Sequence, residues 1–379
     1  PMASLVAIDL PGGPGFVTAL REIWDAGDAA LPIDQRMAAS AQADTIRSLR
    51  ASAVIGPDGE RHSVEGGAPV EAGDALVMAT SGTTGRPKGV VLTHGALDAS
   101  AAATSRRLGV DPARHRWLAC LPLNHIGGLA VLTRSLATGA PFDVLPGFDA
   151  KRVRELSGPD CFVSLVSTAL ARVPADLFHT VVLGGSAYPA DRPANVVGTY
   201  GMTETASGVV YDGFPLEGVE VKVDADSSEI SLRAPMLLRC YRDGTVPFSA
   251  GGWFPTGDAG EIDRDGRLSV AGRIGDMIVS GGEKIWPAPI EKILAEHPDV
   301  ADVAVAGRPD PEWGQKVVAW VVPAQGRPIP DLAELRDLVG SRLARWAAPR
   351  QLVQVDSIPR TAIGKIRRDS LDREDPQNR

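Results

Sequence analysis

The chain is poor in cysteine. Cys120, Cys161 and Cys240 are its only three thiols in 379 residues, and no metal-ligand or redox spacing links them. A disulfide framework is therefore not expected, and a reduced, cytoplasmic protein is the simplest setting. Excess positive charge is also missing. Lys and Arg number 39 against 47 Asp and Glu, which gives a net charge of −8. That balance argues against a general nucleic-acid binder, although it leaves room for a local basic pocket. No basic stretch followed by an apolar core opens the sequence, so no signal peptide is expected. The notable uncharged stretch, Trp117 to Thr133, contains Pro122, Asn124 and His125 and is too short and too polar to span a bilayer. No internal repeat and no long low-complexity segment stands out.

What remains is an ordinary globular composition, 44% hydrophobic and 23% charged. The length exceeds what one core usually supports, so two or more folding units are expected. Short β-rich runs alternate with helical runs through the first two thirds. The β-rich runs include Ala75–Ala79, Trp117–Leu121, Cys161–Leu165 and Thr180–Leu183; Gly95–Arg107, Gly127–Thr138, Asp149–Ser157 and Ser167–Val173 suit helices. This alternation predicts a layered α/β domain. From Gly218 to Leu238 the pattern turns strand-rich, as in a small β-subdomain. A boundary is expected near Gly272–Gly275, giving domains 1–274 and 275–379. The second is read as a compact α+β unit of about 100 residues, a normal domain size. The tail, Asp372–Arg379, is expected to fray. The first 70 or so residues are the least readable part.

One segment says most about function: Thr80-Ser81-Gly82-Thr83-Thr84-Gly85-Arg86-Pro87-Lys88-Gly89. Glycines let a backbone approach closely, hydroxyls and amides donate hydrogen bonds, and Lys88 adds a point charge. A triphosphate suits such a loop. It is not a Walker A loop, because Lys88 is not followed by Ser or Thr and a β-rich run follows rather than a helix. A plain polar hairpin is the bland alternative.

Other motifs follow. Pro122-Leu123-Asn124-His125 precedes Ile126-Gly127-Gly128, where His125 by itself could equally cap a helix. Gly184-Gly185-Ser186 follows a buried run, and its glycines would let a flat ring approach. Thr199-Tyr200-Gly201-Met202-Thr203-Glu204-Thr205 offers Tyr200 for stacking, Thr203 as a phosphate donor and Glu204 as a hard oxygen ligand for Mg²⁺. Asp258, after a glycine turn, suits the two hydroxyls of a ribose, and Arg273 would reach ribose or phosphate. Pro359-Arg360-Thr361-Ala362-Ile363-Gly364-Lys365 ends the series; alone, Lys365 would be a surface lysine.

In this order the motifs resemble those of the adenylate-forming superfamily, the acyl- and aryl-CoA ligases, luciferases and peptide-synthetase adenylation domains. The resemblance runs from Thr80 to Lys365. The first 70 residues depart from it, being shorter than the region most members carry before the phosphate loop. The resemblance implies the adenylate-forming fold, a large N-terminal domain with a small mobile C-terminal one. It implies ATP, Mg²⁺ and coenzyme A as reactants and an acyl-adenylate intermediate. Thr80, Ser81, Gly82, Thr83, Thr84, Lys88, Gly184, Gly185, Ser186, Tyr200, Asp258 and Arg273 would bind nucleotide. Thr203, Glu204, His125 and Lys365 would be catalytic, with Glu204 on the metal. Gly275 would be the pivot, and Gly281 and Gly282 would line the thiol channel. The partners implied are small molecules, with neither nucleic acid nor membrane insertion. A homodimer is an arrangement that the superfamily leaves open.

Two stretches are similar to the o-succinylbenzoate–CoA ligases of menaquinone synthesis, in their short form. One runs from Pro122 to Ser135 and the other from Gly201 to Gly213. That resemblance implies an acid site formed by Arg134, His125, Gly201, Thr205 and Ser207. Arg134 matters most, because a dicarboxylate leaves one acid group charged in its pocket and a guanidinium matches it with a fork. The bland alternative puts Arg134 on the outer helix face in a surface ion pair. A ligase for another aryl or fatty acid, or a module that loads a carrier protein, stays open at this stage.

Overall fold

The computed structural model describes residues 2–81, 87–185, 192–360 and 366–373. By packing, the chain forms two compact units: Pro1–Val221 with Leu232–Phe254, and Lys222–Ser231 with Pro255–Arg379.

The first unit begins with β1 (Leu5–Ile8), α1 (Pro14–Asp25), β2 (Ala29–Pro32), α2 (Ala39–Ser48), β3 (Ala53–Ile55), β4 (Arg61–Ser63), β5 (Asp74–Ser81) and β6 (Pro87–Thr93). α1 starts with Pro14, whose missing N–H costs nothing in a first turn. It buries Phe16, Ala19, Leu20 and Ile23, a helical stripe. α3 (His94–Leu108) follows, capped by Thr93 Oγ1, which accepts from the Ala96 amide at 3.1 Å. The second part of the unit comprises β7 (Arg116–Ala119), α4 (Ile126–Thr138), β8 (Phe142–Val144), α5 (Ala150–Glu155), β9 (Gly158–Leu165), α6 (Ser167–Leu170), β10 (Phe178–Leu183), β11 (Val196–Met202), β12 (Ser207–Tyr211) and β13 (Phe214–Pro215). Next along the chain come β14 (Glu220–Val223), β15 (Glu229–Arg233) and the two-residue β16 (Cys240–Tyr241).

Two seven-stranded sheets result. The first runs β16-β6-β5-β2-β1-β3-β4, and the second β13-β12-β11-β10-β9-β7-β8. The central pairs β1–β2, β1–β3, β7–β9, β9–β10 and β10–β11 are parallel, as expected for an α/β layer. β1 and β2 are buried on both faces along their whole length; all of Leu5–Ile8 is 0% exposed. β5 and β6 are an antiparallel hairpin, with Ser81 opposite Pro87. The phosphate-loop segment thus begins on one strand and ends on the next. All three cysteines are buried free thiols, and burial pushes Cys120 and Cys161 up to about 12.

The second unit holds β17 (Phe254–Ile262) from Pro255 onward, then β18 (Leu268–Arg273), β19 (Ile278–Ser280), β20 (Glu283–Ile285), α7 (Pro287–Leu294), β21 (Val300–Asp310), β22 (Gly314–Pro323), α8 (Leu332–Gly340) and β23 (Gln351–Gln354). β20-β19-β22-β21 form one sheet, and β23 joins β22 in parallel. Ile278, Ile285, Ile290, Leu294, Val305, Val317, Val321 and Leu335 share its core. Gly275, where the sequence suggested a boundary, lies inside this unit. The β17–β18 ladder precedes it, and the Trp286 ring after it sits beside Gly272.

Candidate active site

Thr80 and Lys88 face each other across the β5–β6 hairpin, and Thr80 Oγ1 donates to the Lys88 carbonyl at 3.1 Å. Lys88 is half-buried, and its Nζ stands 3.2 Å from the centroid of the Tyr241 ring. Ser81 closes β5. Gly82, Thr83, Thr84, Ser186 and Lys365 lie outside the described residues.

β10 ends at Leu183, and Gly184 and Gly185 follow it directly, Gly185 at φ +85°. The neighbouring β11 carries Thr199, whose Oγ1 donates to the Leu183 carbonyl at 3.1 Å, and Tyr200. The ladder from β11 to β12 shifts register between Tyr200 and Gly201. A β-carbon on Gly201 would lie 2.1 Å from the Ser207 carbonyl oxygen, so the bulge admits only glycine there. Thr203–Thr205 then make one 3₁₀ turn. The Thr205 hydroxyl accepts from the Met202 amide at 2.9 Å and reaches the Ser207 carbonyl at 2.5 Å. Thr205 is 0% exposed, and these hydrogen bonds tie it into the turn. The turn leaves Glu204 half-buried, where its Oε1 accepts from Tyr241 Oη at 3.1 Å.

His125 occupies the N-cap position of α4, but its side chain makes no capping hydrogen bond. Arg36 Nη2 lies 3.0 Å from His125 Nε2. Arg36 is itself gripped by Asp34, at 2.8 and 2.7 Å. That hydrogen bond holds the Asp34 carboxyl below its ordinary value and raises Arg36. Arg36 belongs to the part of the chain least readable in sequence, and no local signal marks it.

Arg134 is 2% exposed, which excludes the outer helix face. Its Nη2 donates to Ser207 Oγ at 2.7 Å, and its guanidinium lies 5.5 Å from the Trp117 ring centroid. Its Nε has no hydrogen-bond partner, and among the described residues no carboxylate forms an ion pair with it. Ser207 sits at φ +145°, an uncommon conformation for a non-glycine residue, and also contacts Ser100 Oγ at 3.1 Å. The first unit therefore brings Arg134 and Ser207 together. A cavity of about 480 Å³ is lined by Glu220, Arg233, Pro235, Leu237 and Phe248.

In the second unit Asp258 and Arg273 are partners across β17 and β18, with Arg273 Nε 2.9 Å from Asp258 Oδ1. Arg273 Nη1 also donates to the Thr256 carbonyl at 2.8 Å. Gly275 lies in the 3₁₀ turn Ile274–Asp276, and a β-carbon there would meet nothing within 4 Å. Gly281 and Gly282 are the two loop residues between Ser280 and Glu283, at φ +61° and +85°, which a tight hairpin loop of this kind needs.

Among the described residues no group of three or more His, Cys, Asp or Glu could hold a metal ion. Mg²⁺ usually takes one or two carboxylates and completes its shell with substrate phosphates and water. Glu204, with one oxygen bonded to Tyr241, has the right chemistry for that role.

The AMP-binding enzyme family matches residues 2–231, and the AMP-binding enzyme C-terminal domain matches residues 289–365. A probable 2-succinylbenzoate–CoA ligase of Mycobacterium tuberculosis is 41% identical over 325 residues, covering 78% of this chain and 83% of that protein. The 2-succinylbenzoate–CoA ligase of Listeria monocytogenes serotype 4b is 38% identical over 330 residues, 78% of this chain and 69% of that protein. In structure, the chain is similar to o-succinylbenzoate CoA synthetase (MenE) from Bacillus subtilis in complex with the acyl-adenylate intermediate OSB-AMP. There the TM-score is 0.85 with 28% identity, over 98% of this chain and 88% of that one. No helix among the described residues is long and apolar enough to cross a membrane. The chain belongs to the AMP-binding enzyme family, among its 2-succinylbenzoate–CoA ligases.

Proposed function

We propose that the chain ligates 2-succinylbenzoate to coenzyme A, using Mg²⁺ and ATP and passing through an acyl-adenylate, to give 2-succinylbenzoyl-CoA, AMP and pyrophosphate. Arg134 carries the substrate part of this reading. A buried guanidinium without a carboxylate is costly, and Arg134 also leaves its Nε unpartnered. The non-reacting carboxylate of a dicarboxylic acid would satisfy both deficits, with Ser207 as its neighbour. A fatty acid would leave them standing.

In the first step the substrate carboxylate is itself the nucleophile, so no Ser-His-Asp set is needed. The chain's task is to stabilise charge at the α-phosphorus. Thr80, the hydroxyls of the loop and Lys88 hold the phosphates. Tyr200 and the Gly184-Gly185 turn take adenine, and Asp258, steadied by Arg273, takes the ribose hydroxyls. Mg²⁺, when bound, neutralises phosphate charge beside Glu204. Lys365 stabilises the carboxylate and α-phosphate as charge redistributes. His125 borders the acid. In the second step the thiol displaces AMP. The domain carrying Lys365, residues 275–379 in this reading, turns about Gly275, and Gly281 and Gly282 leave room for the thiol arm. The cytoplasm, with its reduced thiols, is the setting that fits.

The decisive assay supplies Mg·ATP, coenzyme A and a panel of acids, and quantifies AMP and thioester together. Equal AMP and thioester with 2-succinylbenzoate, and little with an analogue lacking the second acid group, is the expected result. Preference for a monocarboxylic aryl or fatty acid would overturn the substrate. AMP without CoA thioester, restored by a phosphopantetheine protein, would instead make the chain a loading module.

A further inference from the structure

Tyr241 touches both charged groups that the reading above assigns to Mg·ATP. It lies in β16, which pairs antiparallel with β6 so that Tyr241 stands opposite Val90, close to Lys88 on the same strand. Tyr241 is 7% exposed. One face carries the Lys88 ammonium at 3.2 Å from the centroid, and the hydroxyl at the ring's far end donates to Glu204 Oε1 at 3.1 Å. Among the described residues, Lys88 and Glu204 make no direct ion pair.

We propose that Tyr241 is a positioning residue for the nucleotide, a spacer that holds the Lys88 ammonium and the Glu204 carboxylate aimed and apart. An ammonium and a carboxylate left facing each other in a half-buried site attract strongly. Paired together, each would be a poorer partner for phosphate or for a cation. An aromatic face holds an ammonium without neutralising it, since the attraction is to the ring quadrupole and not to a counter-charge. A phenol hydroxyl occupies one carboxylate oxygen and leaves the other to ligate. One side chain thus preserves both charges for the incoming Mg·ATP. The pairing of β16 with β6 sets Tyr241 opposite Val90, on the strand that also carries Lys88.

This inference rests on the assignment of Lys88 to phosphate and Glu204 to Mg²⁺, and the experiment separates the two. ATP affinity is measured by calorimetry with and without Mg²⁺, in the absence of acid, for the wild type and four variants. Lys88→Ala should weaken ATP binding, and Glu204→Gln should reduce the gain in affinity that Mg²⁺ brings. If both variants match the wild type, the underlying assignment fails. Tyr241→Phe keeps the ring and loses only the hydroxyl. It should bind ATP alone as the wild type does, while the gain from Mg²⁺ falls about 3- to 10-fold, as for loss of one hydrogen bond to a charged group. Tyr241→Leu loses the ring as well, and should weaken ATP binding without Mg²⁺ by about 10-fold. If the Lys88 and Glu204 variants are impaired but Tyr241→Phe keeps the full Mg²⁺ gain, the spacer role is wrong. If both Tyr241 variants lose affinity equally with and without Mg²⁺, Tyr241 is ordinary packing and the role is equally wrong.

Discussion

Arg36 Nη2 stands 3.0 Å from His125 Nε2, and a guanidinium can only donate. In that contact His125 Nε2 is the acceptor. The donor is fixed by Asp34. Arg36→Ala should take this donor from the ring, which keeps its contact with Asn124 Nδ2 at 3.4 Å. We expect the KM for the acid to rise about 3- to 10-fold with ATP binding unchanged, the effect of losing one charge-assisted contact in a partly wet site. An unaltered acid KM would mean that Arg36 does not orient His125 in solution. The same pair sets a pH limit. The Asp34 carboxyl is held down by Arg36, so its stabilisation is complete above the ordinary carboxylate range of about 4 and is lost as pH falls through the lower folded value. Asp34→Asn should flatten the acid limb of a urea-unfolding series and leave neutral pH almost unchanged, since half-exposed pairs contribute only about 1 kcal/mol or less.

On the proposed function, Arg134 sets the substrate by holding the second carboxylate. Arg134→Ala should cost about 2–4 kcal/mol in kcat/KM for 2-succinylbenzoate, or roughly 30- to 1000-fold, with ATP binding intact. Arg134→Lys should recover part of this, because an ammonium cannot reproduce the fork. The monocarboxylate analogue should be poor for the wild type and hardly worse for the mutant. Equal damage to both acids would make Arg134 structural, a brace for Ser207 and nothing more.

Lys365→Ala should abolish adenylate formation while sparing ATP binding. Thioester formation from a presynthesised acyl-adenylate should survive. Measuring the two half-reactions separately checks this, and equal loss of both in a folded variant contradicts the role.

Gly275 is tested by two substitutions. Nothing crowds its missing β-carbon, so Gly275→Ala should keep the wild-type melting temperature to within a few degrees. Gly275→Pro fixes φ near about −65°. Adenylation should persist in that variant while thioester formation falls. Unchanged steady-state turnover in Gly275→Pro would remove Gly275 from the pivot role.

What the sequence revealed was local. The hairpin around Lys88, the run holding Tyr200 and Glu204, and the Asp258 turn each put chemistry-bearing residues in a short window, and β5, β6, β11 with the turn after it, and β17 carry them. The strands of the opening segment were unreadable for a physical reason. Leu5–Ile8 and Ala29–Pro32 are four residues each and buried on both faces, so they show no alternation. Arg36 and Tyr241 were missed because their partners are distant in the chain; His125 is 89 residues from Arg36, and Glu204 is 37 from Tyr241. Arg134 was singled out as a cation for an acid, but whether it faced inward depended on the packing of α4, which periodicity alone left open.

Ser207 ties two jobs to one backbone. Its hydroxyl meets Arg134, while its carbonyl closes against Gly201 and accepts from Thr205, on the turn that presents Glu204. On the proposed function, a change at this serine would reach both the acid site and the turn that carries Glu204. Redesign of substrate range should therefore show strong epistasis here. Pairs of substitutions at positions 134 and 207 will depart from additivity, and a broadened acid preference will come with an altered demand for Mg²⁺. A library that varies the two positions together, scored at several Mg²⁺ concentrations, will reach specificities that single changes cannot.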